Sequence, residues 1–218
     1  MDARSPRPSV NPLLKQAGSV RSDLIGAATA VFARQGFRRS TLKDVATKAG
    51  LDVRDVEALF PSTAALLSAT LVRADWDFEN EVFPGGGRGG WQGLDGFVGI
   101  LRGSANHPGH IELFEDATHE GVDPESPVRD WLVDHYELVL EIVTGSVVTG
   151  IARGEMVADT DPAFIAYGLS SFIDGLSLQW LARDRDFDLS APMETFLDLL
   201  RLRYATPAYQ ERGTFYPA

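Results

Sequence analysis

Basic side chains, whose cationic groups can pair with phosphate oxygens, are concentrated in the first 60 residues of the 218-residue chain. This part holds ten Lys+Arg and six Asp+Glu, a balance of +4, whereas residues 61–218 hold ten and 25, a balance of −15. Together they give the net charge of −11. The distribution favours a small end that contacts nucleic acid and an acidic body that does not. Chance clustering is the alternative.

Two histidines in the stretch HPGH, His107 and His110, precede Glu112 and Asp116 and could offer metal ligands. The Pro-Gly pair between them favours a turn, and no further ligand spacing follows, so we predict no metal site. The chain has no cysteine, which excludes disulfides, thiolate metal sites and a cysteine nucleophile. No Ser-His-Asp order, glycine-flanked nucleophile or paired carboxylates stand out. We therefore predict no enzyme activity and no cofactor.

The stretch that positions the basic residues is TLKDVATKAGLDVRDVEALF, residues 41–60, which reads as two short helices. Thr41 and Asp44 have the spacing of a capping box at the start of the first helix. Gly50 lies where that helix should end in the left-handed conformation. Asp52 can cap the second helix. Two short helices joined by a glycine turn predict a helix-turn-helix, whose second helix can enter a DNA major groove.

The rest of the chain has the 3.6-residue apolar period of helices and no sustained strand alternation, which predicts an all-α fold of about nine helices. We expect helices over 22–35, 62–80, 94–105, 108–120, 126–153 and 162–183, and a last helix capped by Ser190. The predicted domains are an arm (1–20), a helix-turn-helix domain (21–80), a glycine-rich linker (81–93), a larger helical domain (94–204) and a tail (205–218). The basic arm either reaches phosphates or the minor groove or is a solvated tail.

No apolar run reaches the roughly 18 residues of a membrane span. The N-terminus also lacks the apolar core of a signal peptide. A cytoplasmic protein without a membrane partner is the resulting expectation.

Residues 21–71 resemble the N-terminal domain of the TetR/AcrR transcriptional regulators. The matching positions are Ala27-Ala28, Phe32, Gly36-Phe37, Thr41, Asp44, Val45-Ala46, Ala49-Gly50, Phe60-Pro61-Ser62 and Leu66. More weakly, residues 107–116 and 159–184 resemble the effector-binding and dimerisation domain of that family. The resemblance implies an all-helical homodimer, a palindromic double-stranded DNA operator, and a cavity in each larger domain for a small hydrophobic effector that releases the DNA. A repressor is the expected role.

The predicted recognition helix departs from the family pattern, which usually opens with a serine, then often a lysine, a small residue and a threonine, and later has an aromatic residue and a histidine. Here residues 52–58 read DVRDVEA, with three acids, Asp52, Asp55 and Glu57, and one arginine. Carboxylates oppose phosphate contact. Either the aspartates cap the helix while other side chains read the bases, or DNA affinity is weak or absent. Under the first interpretation we assign phosphate contact to Arg38, Arg39, Thr41, Lys43 and Lys48, and base contact to Val53 and Arg54.

A stripe of small residues recurs every seven positions in the helix over 162–183: Gly168, Gly175 and Ala182, with Ser171 nearby. Glycine inside a helix costs about 1 kcal/mol relative to alanine, so close packing is a plausible compensation. We predict a four-helix dimer interface with the last helix, through Phe196 and Leu200. The alternative is that the stripe packs within one chain.

Aromatic and apolar residues are spread over the helices expected to surround the cavity. They either line a ligand pocket, with histidines and Glu115 supplying polarity, or fill core. The predicted ligand-binding residues are Phe97, Leu101, Phe114, His119, Trp131, His135, Tyr136, Phe172 and Trp180.

Overall fold

The computed structural model describes residues 12–82, 89–104 and 108–210, and every regular element in this part of the chain except one isolated bridge pair is helical. The predicted all-α architecture is confirmed. The N-terminal helices are α1 (Pro12–Gln35), a 3₁₀ turn (Phe37–Arg39), α2 (Leu42–Ala49), α3 (Val53–Leu59) and α4 (Thr63–Val82). The remaining helices are α5 (Trp91–Ser104), α6 (Pro108–Gly121), α7 (Arg129–Ala152), α8 (Pro162–Ala182), α9 (Ser190–Tyr204) and α10 (Pro207–Gln210).

Several helix ends differ from the sequence expectation. Helix α1 begins at Pro12, so residues 12–20 of the expected arm are helical; proline at the first position followed by good helix formers accounts for this. Residues 81–82 and 91–93 of the expected linker are also helical. Ser190 was expected as a cap but is the first helical residue, because the Asp188 carboxylate accepts hydrogen bonds from its backbone N–H and its hydroxyl.

The beginning of the expected tail packs on the larger helical domain, near the start of α5 and the end of α7. Met156 and Ala205 form the isolated bridge, and the ring of Tyr209 lies 6.3 Å from that of Trp91. Residues 1–11, 83–88, 105–107 and 211–218 lie outside the described part, and with them much of the expected arm, linker and tail, and His107.

Two apolar cores organise the structure. One is formed by α5, α7, α8 and α9 around residues such as Leu94, Val143 and Leu169. The other surrounds Phe32, Val45, Val56 and Phe60 in the N-terminal helices. This second core does not end at α4: it continues into α6 and the start of α7, with members Leu113, Ala117, Val128, Trp131 and Leu132. We define α1 to α4 as the head and α5 to α9 as the body. The body is therefore part of the hydrophobic support of the head.

A buried arginine ties α9 to α5 inside the first core. The Arg201 side chain is 1% exposed, pairs with the carboxylates of Asp95 and Asp198, and lies over the ring of Trp91. Burial raises the pKa of Asp95, whereas the neighbouring guanidinium lowers it. Removing either partner would leave an uncompensated buried charge.

Glycine brings α6 close to α1. A Cβ added to Gly109 would lie 2.4 Å from the Ala33 carbonyl oxygen and 2.9 Å from the Ala33 Cβ. The first of these atoms belongs to the backbone of α1 and cannot move without moving that helix. The two helices can therefore approach this closely only when residue 109 has no side chain.

We expect Gly109→Ala to lower the free energy of unfolding by about 1–3 kcal/mol, because the methyl group would push α6 away from α1. Chemical denaturation measures the change. Gly99→Ala in α5 is the control: its added Cβ meets no atom within 4 Å, so alanine should be neutral or stabilising by up to about 1 kcal/mol. Equal effects of the two substitutions would contradict the close-approach argument.

Candidate nucleic-acid interface and internal cavity

The helix-turn-helix forms from local caps and one glycine turn. The Thr41 hydroxyl accepts a hydrogen bond from Asp44 N–H, and the Asp44 carboxylate accepts from Thr41 N–H at 2.9 Å, which completes the predicted capping box. Gly50 ends α2 with φ 70°, in the left-handed region. The Asp52 carboxylate accepts from Arg54 N–H at 2.9 Å and caps α3. Buried Val45, Ala46 and Val56 fix α2 against α3.

Two of the acidic side chains near α3 are engaged in these caps. Hydrogen bonds from the Thr41 hydroxyl and backbone lower the pKa of Asp44. Asp44 and Asp52 therefore contribute to helix initiation. Asp55 and Glu57 are exposed on α3, and their carboxylates have no hydrogen bond or ion pair in the described part of the chain. The acidic character of the second helix thus comes mainly from Asp55 and Glu57.

The residues assigned to DNA contact lie on or next to these two helices. Thr41, Lys43, Lys48 and Arg54 are exposed, and Val53 is half-buried. Arg38 and Arg39 in the 3₁₀ turn are also exposed, but both have partners. Arg38 lies 3.5 Å from the Glu120 carboxylate of α6, and Arg39 Nε donates to the Gln35 carbonyl oxygen at 2.7 Å. Arg21, which no sequence motif singled out, lies over the Phe60 ring and beside α3.

A cavity of about 420 Å³, partly open to solvent, lies between the head and the body. Helices α4, α5, α6, α7 and α8 contribute side chains to its wall, together with Thr29 of α1. Five of the nine predicted ligand-binding residues line it: Phe97, Leu101, Phe114, Trp131 and His135.

The other four predicted ligand-binding residues are not in the cavity wall. His119 is exposed on α6. Tyr136 donates its hydroxyl proton to Asp174, a residue of the wall, at 2.8 Å. Phe172 stacks on Phe196 with ring centroids 4.4 Å apart, and Trp180 donates to the Phe187 carbonyl oxygen at 3.0 Å.

A carboxylate that was not expected from the sequence organises the aromatic side of the cavity. Asp75 of α4 accepts from Trp131 Nε1 at 2.7 Å and lies 2.6 Å from His135 Nδ1, both on α7. These bonds orient the indole and imidazole rings, and Phe114 packs edge-on against both. Since α4 follows the helix-turn-helix directly, the bonds from Asp75 to Trp131 and His135 also connect the head to α7 in the cavity wall.

A second acidic group, Glu115, Asp174 and Tyr136, adjoins the same cavity. Burial raises the pKa of Glu115 to about 7, with the negative charge of Asp174 as a second cause in the same direction. Burial also raises the pKa of Asp174, against the opposing effects of the Tyr136 hydrogen bond and of His135. The sequence did carry one signal for Asp174: it is the only charged residue between Pro162 and Ala182.

The outer face of α8 and α9 is apolar and uncovered. Phe164, Tyr167, Leu178, Leu199 and Leu202 are 51–76% exposed. A Cβ added to Gly168 or Gly175 would meet no atom within 4 Å, so the stripe does not pack within the chain. A shallow hollow on this face brings together four residues predicted for the dimer interface, Gly168, Ser171, Phe196 and Leu200, while Gly175 and Ala182 lie further along α8.

Among the described residues, no three His, Asp or Glu side chains lie close enough together to hold a metal ion. Within the same ranges, no single helix has the length and apolar composition to cross a membrane, although α3 and the start of α4 reach that composition as a bent pair.

The geometry defines a helix-turn-helix head on an all-helical body, with a cavity between the two. Residues 24–70 match the family model of bacterial regulatory proteins of the tetR family. The predicted resemblance of the N-terminal residues to the TetR family is confirmed over this stretch. No curated protein matches the chain.

Solved structures share the fold over most of the chain. One is a TetR-family transcriptional regulator from a Rhodococcus species (22% identity, 83% of this chain and 98% of that chain, TM-score 0.71). A second is the transcriptional regulator FadR from Bacillus subtilis in complex with stearoyl-CoA (19%, 82% and 96%, TM-score 0.66). A third is SmeT, the repressor of a Stenotrophomonas maltophilia multidrug efflux pump (18%, 90% and 96%, TM-score 0.66).

The raised pKa of Glu115 gives a pH-dependent prediction. In the folded chain the Glu115 carboxyl group keeps its proton up to about pH 7, whereas its ordinary pKa is 4.5. Its ionisation therefore lowers the free energy of unfolding as the pH rises from 4.5 to about 7. Glu115→Gln removes this destabilisation. Because solvent partly screens the side chain, we expect a modest gain in melting temperature of about 2 °C at pH 8 relative to wild type, and a smaller gain at pH 5.5.

Calorimetry of both proteins at the two pH values measures the difference, and Glu137→Gln on the exposed side of α7 is the control. A Glu115→Gln effect that is the same at both pH values would contradict the assignment.

Proposed function

We propose that the protein is a homodimeric, ligand-responsive transcriptional regulator that represses from a palindromic operator and is released by a small molecule. The observation that carries the proposal is the division of one helix, α6, between the cavity wall and the support of the head. The match of residues 24–70 to the family model of bacterial regulatory proteins of the tetR family supports the DNA-binding role.

DNA contact is assigned to the exposed side chains of α2, α3 and the turn before them. Lys43, Lys48, Arg38 and Arg39 supply positive charge for phosphates, with Thr41 as a further phosphate contact. Val53 and Arg54, at the start of α3, are assigned to base edges, since the N-terminal residues of a recognition helix contact bases in the major groove.

Dimerisation is assigned to the apolar outer face of α8 and α9. Glycine at 168 and 175 leaves room for a second copy of the helix, and the exposed aromatic and leucine side chains around it would be buried by that copy. A two-fold pairing of α8 and α9 forms a four-helix bundle and places two recognition helices for two half-sites.

Ligand release is assigned to movement of α6 and α4. His110, Ile111, Leu113 and Phe114 of α6 face the cavity. The same helix reaches the head through Leu113 and Ala117, the Glu120–Arg38 ion pair and the close approach at Gly109. A ligand that favours one position of α6 would shift the population of head orientations and hence the spacing of the recognition helices. The FadR structure with stearoyl-CoA is a precedent for ligand binding on this fold.

A second candidate function is a ligand-binding protein of this fold that no longer recognises an operator. The exposed carboxylates of Asp55 and Glu57 favour it, because both would oppose the DNA backbone. The two functions differ in one measurable property, salt-dependent binding to DNA.

We expect the wild-type dimer to bind the DNA upstream of its own coding sequence, with affinity that falls as salt rises. Lys48→Ala should weaken binding to all sequences and reduce the salt slope by about one for each phosphate that the lysine neutralises. Arg54→Ala should cost about 1–3 kcal/mol and relax sequence preference. Fluorescence anisotropy over a salt series measures both.

Arg102→Ala is the control, since it removes the same charge from α5 in the body. Loss of binding with Arg102→Ala equal to that with Lys48→Ala would reject the assigned surface. Absence of salt-dependent binding to any sequence in a random library would favour the second candidate function.

The dimer face is tested by Gly168→Gln. The added side chain has open space around its Cβ and improves helix propensity, so the subunit should fold, but the glutamine would occupy the space assigned to the partner helix. Analytical ultracentrifugation should show a dimer for wild type and a shift of at least tenfold toward monomer for the variant.

Gly99→Gln, at another open helical glycine, should leave the dimer intact. A wild-type monomer, or a Gly168→Gln dimer as stable as wild type, would exclude this face as the interface.

A further inference from the structure

The chemical character of the cavity wall indicates which ligands it can hold. Apolar and aromatic side chains make up most of the surface, with Phe97, Phe114 and Trp131 prominent among them. Phe114 and Trp131 meet edge-to-face, with centroids 5.7 Å apart. Aromatic rings attract cations electrostatically, as well as burying apolar groups. The wall therefore suits a ligand with an apolar body and leaves open the sign of its charge.

The charged groups of the wall decide that sign. Three aspartates and one arginine line the cavity: Asp75, Asp77, Asp174 and Arg73. Arg73 Nε donates to both oxygens of Asp77 at 2.9 Å, so the charges of this pair compensate each other. Asp75 is occupied by Trp131 and His135. Asp174 accepts a hydrogen bond from the neutral Tyr136 hydroxyl, and within the described ranges no lysine or arginine forms an ion pair with it.

Glu115 adds a second carboxyl group to this corner. Its Oε1 is buried and has no hydrogen-bond partner within the described part of the chain. Burial is the first cause of the raised pKa of both Glu115 and Asp174, and for Asp174 it outweighs the opposing effects of the Tyr136 hydrogen bond and of His135. A bound cation would add a positive charge beside Asp174, whereas a bound anion would be repelled by Asp174 and would find the guanidinium of Arg73 already paired.

We propose that the cavity binds a lipophilic organic monocation, with its charged nitrogen beside Asp174 and its apolar body against Phe114 and Trp131. This inference rests on the proposed function, since it names the class of the effector that the cavity would take. Two independent observations meet in it: the aromatic wall of a cavity large enough for a small molecule, and the Asp174 carboxylate in that wall, which has no ion pair with a lysine or arginine in the described part of the chain.

A matched pair of probes tests the charge preference. Benzyltrimethylammonium and neopentylbenzene have the same shape, but the first carries a positive nitrogen where the second has carbon. We expect wild-type protein to bind the cation at least tenfold more tightly, measured by quenching of tryptophan fluorescence. A merely apolar pocket would prefer the neutral compound, because only the cation must lose its hydration.

Asp174→Asn should lower the affinity for the cation at least tenfold and leave that for the neutral compound within twofold. Asp134→Asn, an exposed carboxylate on α7, is the matched control and should change neither. The melting temperature of each variant verifies that it is folded, and Glu115→Gln provides a second, weaker reduction of cation binding if Asp174→Asn fails to fold.

The outcomes separate this inference from the proposed function. Equal or tighter binding of the neutral compound by wild type would overturn the cation preference and leave the cavity as a ligand site. Unchanged cation preference in Asp174→Asn would overturn the role of Asp174. If neither probe binds, the cavity is not a ligand site for molecules of this size, and the inference falls together with ligand release, while the DNA and dimer assignments are tested separately.

Discussion

The packing of α6 against α1 is the contact on which the rest of the structure depends. Gly109 lets the two backbones approach at Ala33, and Leu113 and Ala117 of α6 complete the core that supports α2 and α3. Because one helix serves both halves, the head is not an independently packed unit attached by a linker. Any change in the position of α6 therefore alters the hydrophobic support of the helix-turn-helix.

Acidic side chains have different roles at the two ends of this arrangement. At the surface, carboxylates of Asp44 and Asp52 are used to start helices, where backbone N–H groups favour negative charge. Inside, Asp174 and Glu115 are held among apolar and aromatic side chains, where ionisation is costly. Acidic residues thus stabilise helix starts in the head, whereas Asp174 and Glu115 beside the cavity are partly buried carboxyl groups without an ion pair to lysine or arginine in the described part of the chain. Local hydrogen bonding at the surface and burial in the interior account for the difference.

Agreement between sequence and structure is best where a local rule determines the outcome. The Thr41–Asp44 capping box, the left-handed Gly50 and the Asp52 cap depend on residues within a few positions of one another, and the structure has all three. Where no such signal is present, the predicted position of a helix end differs from the observed one, as at the starts of α1 (Pro12) and α9 (Ser190). The residues of the cavity wall were more difficult to predict than the helix ends. Asp75 was missed because its partners Trp131 and His135 lie 56 and 60 positions away in the sequence.

The sequence predicts the helical class, the helix-turn-helix and the resemblance of residues 24–70 to the TetR family, because helix period, caps and the glycine turn depend on residues only a few positions apart. It also indicated the glycine stripe of α8, but not on which side of the molecule the stripe would lie. The packing of the helices places the stripe on the outer face and brings five of the nine predicted ligand-binding residues into one cavity. It also leaves Asp174 without an ion pair to a basic residue in the described part of the chain. These properties depend on how distant helices pack, and no local spacing encodes them.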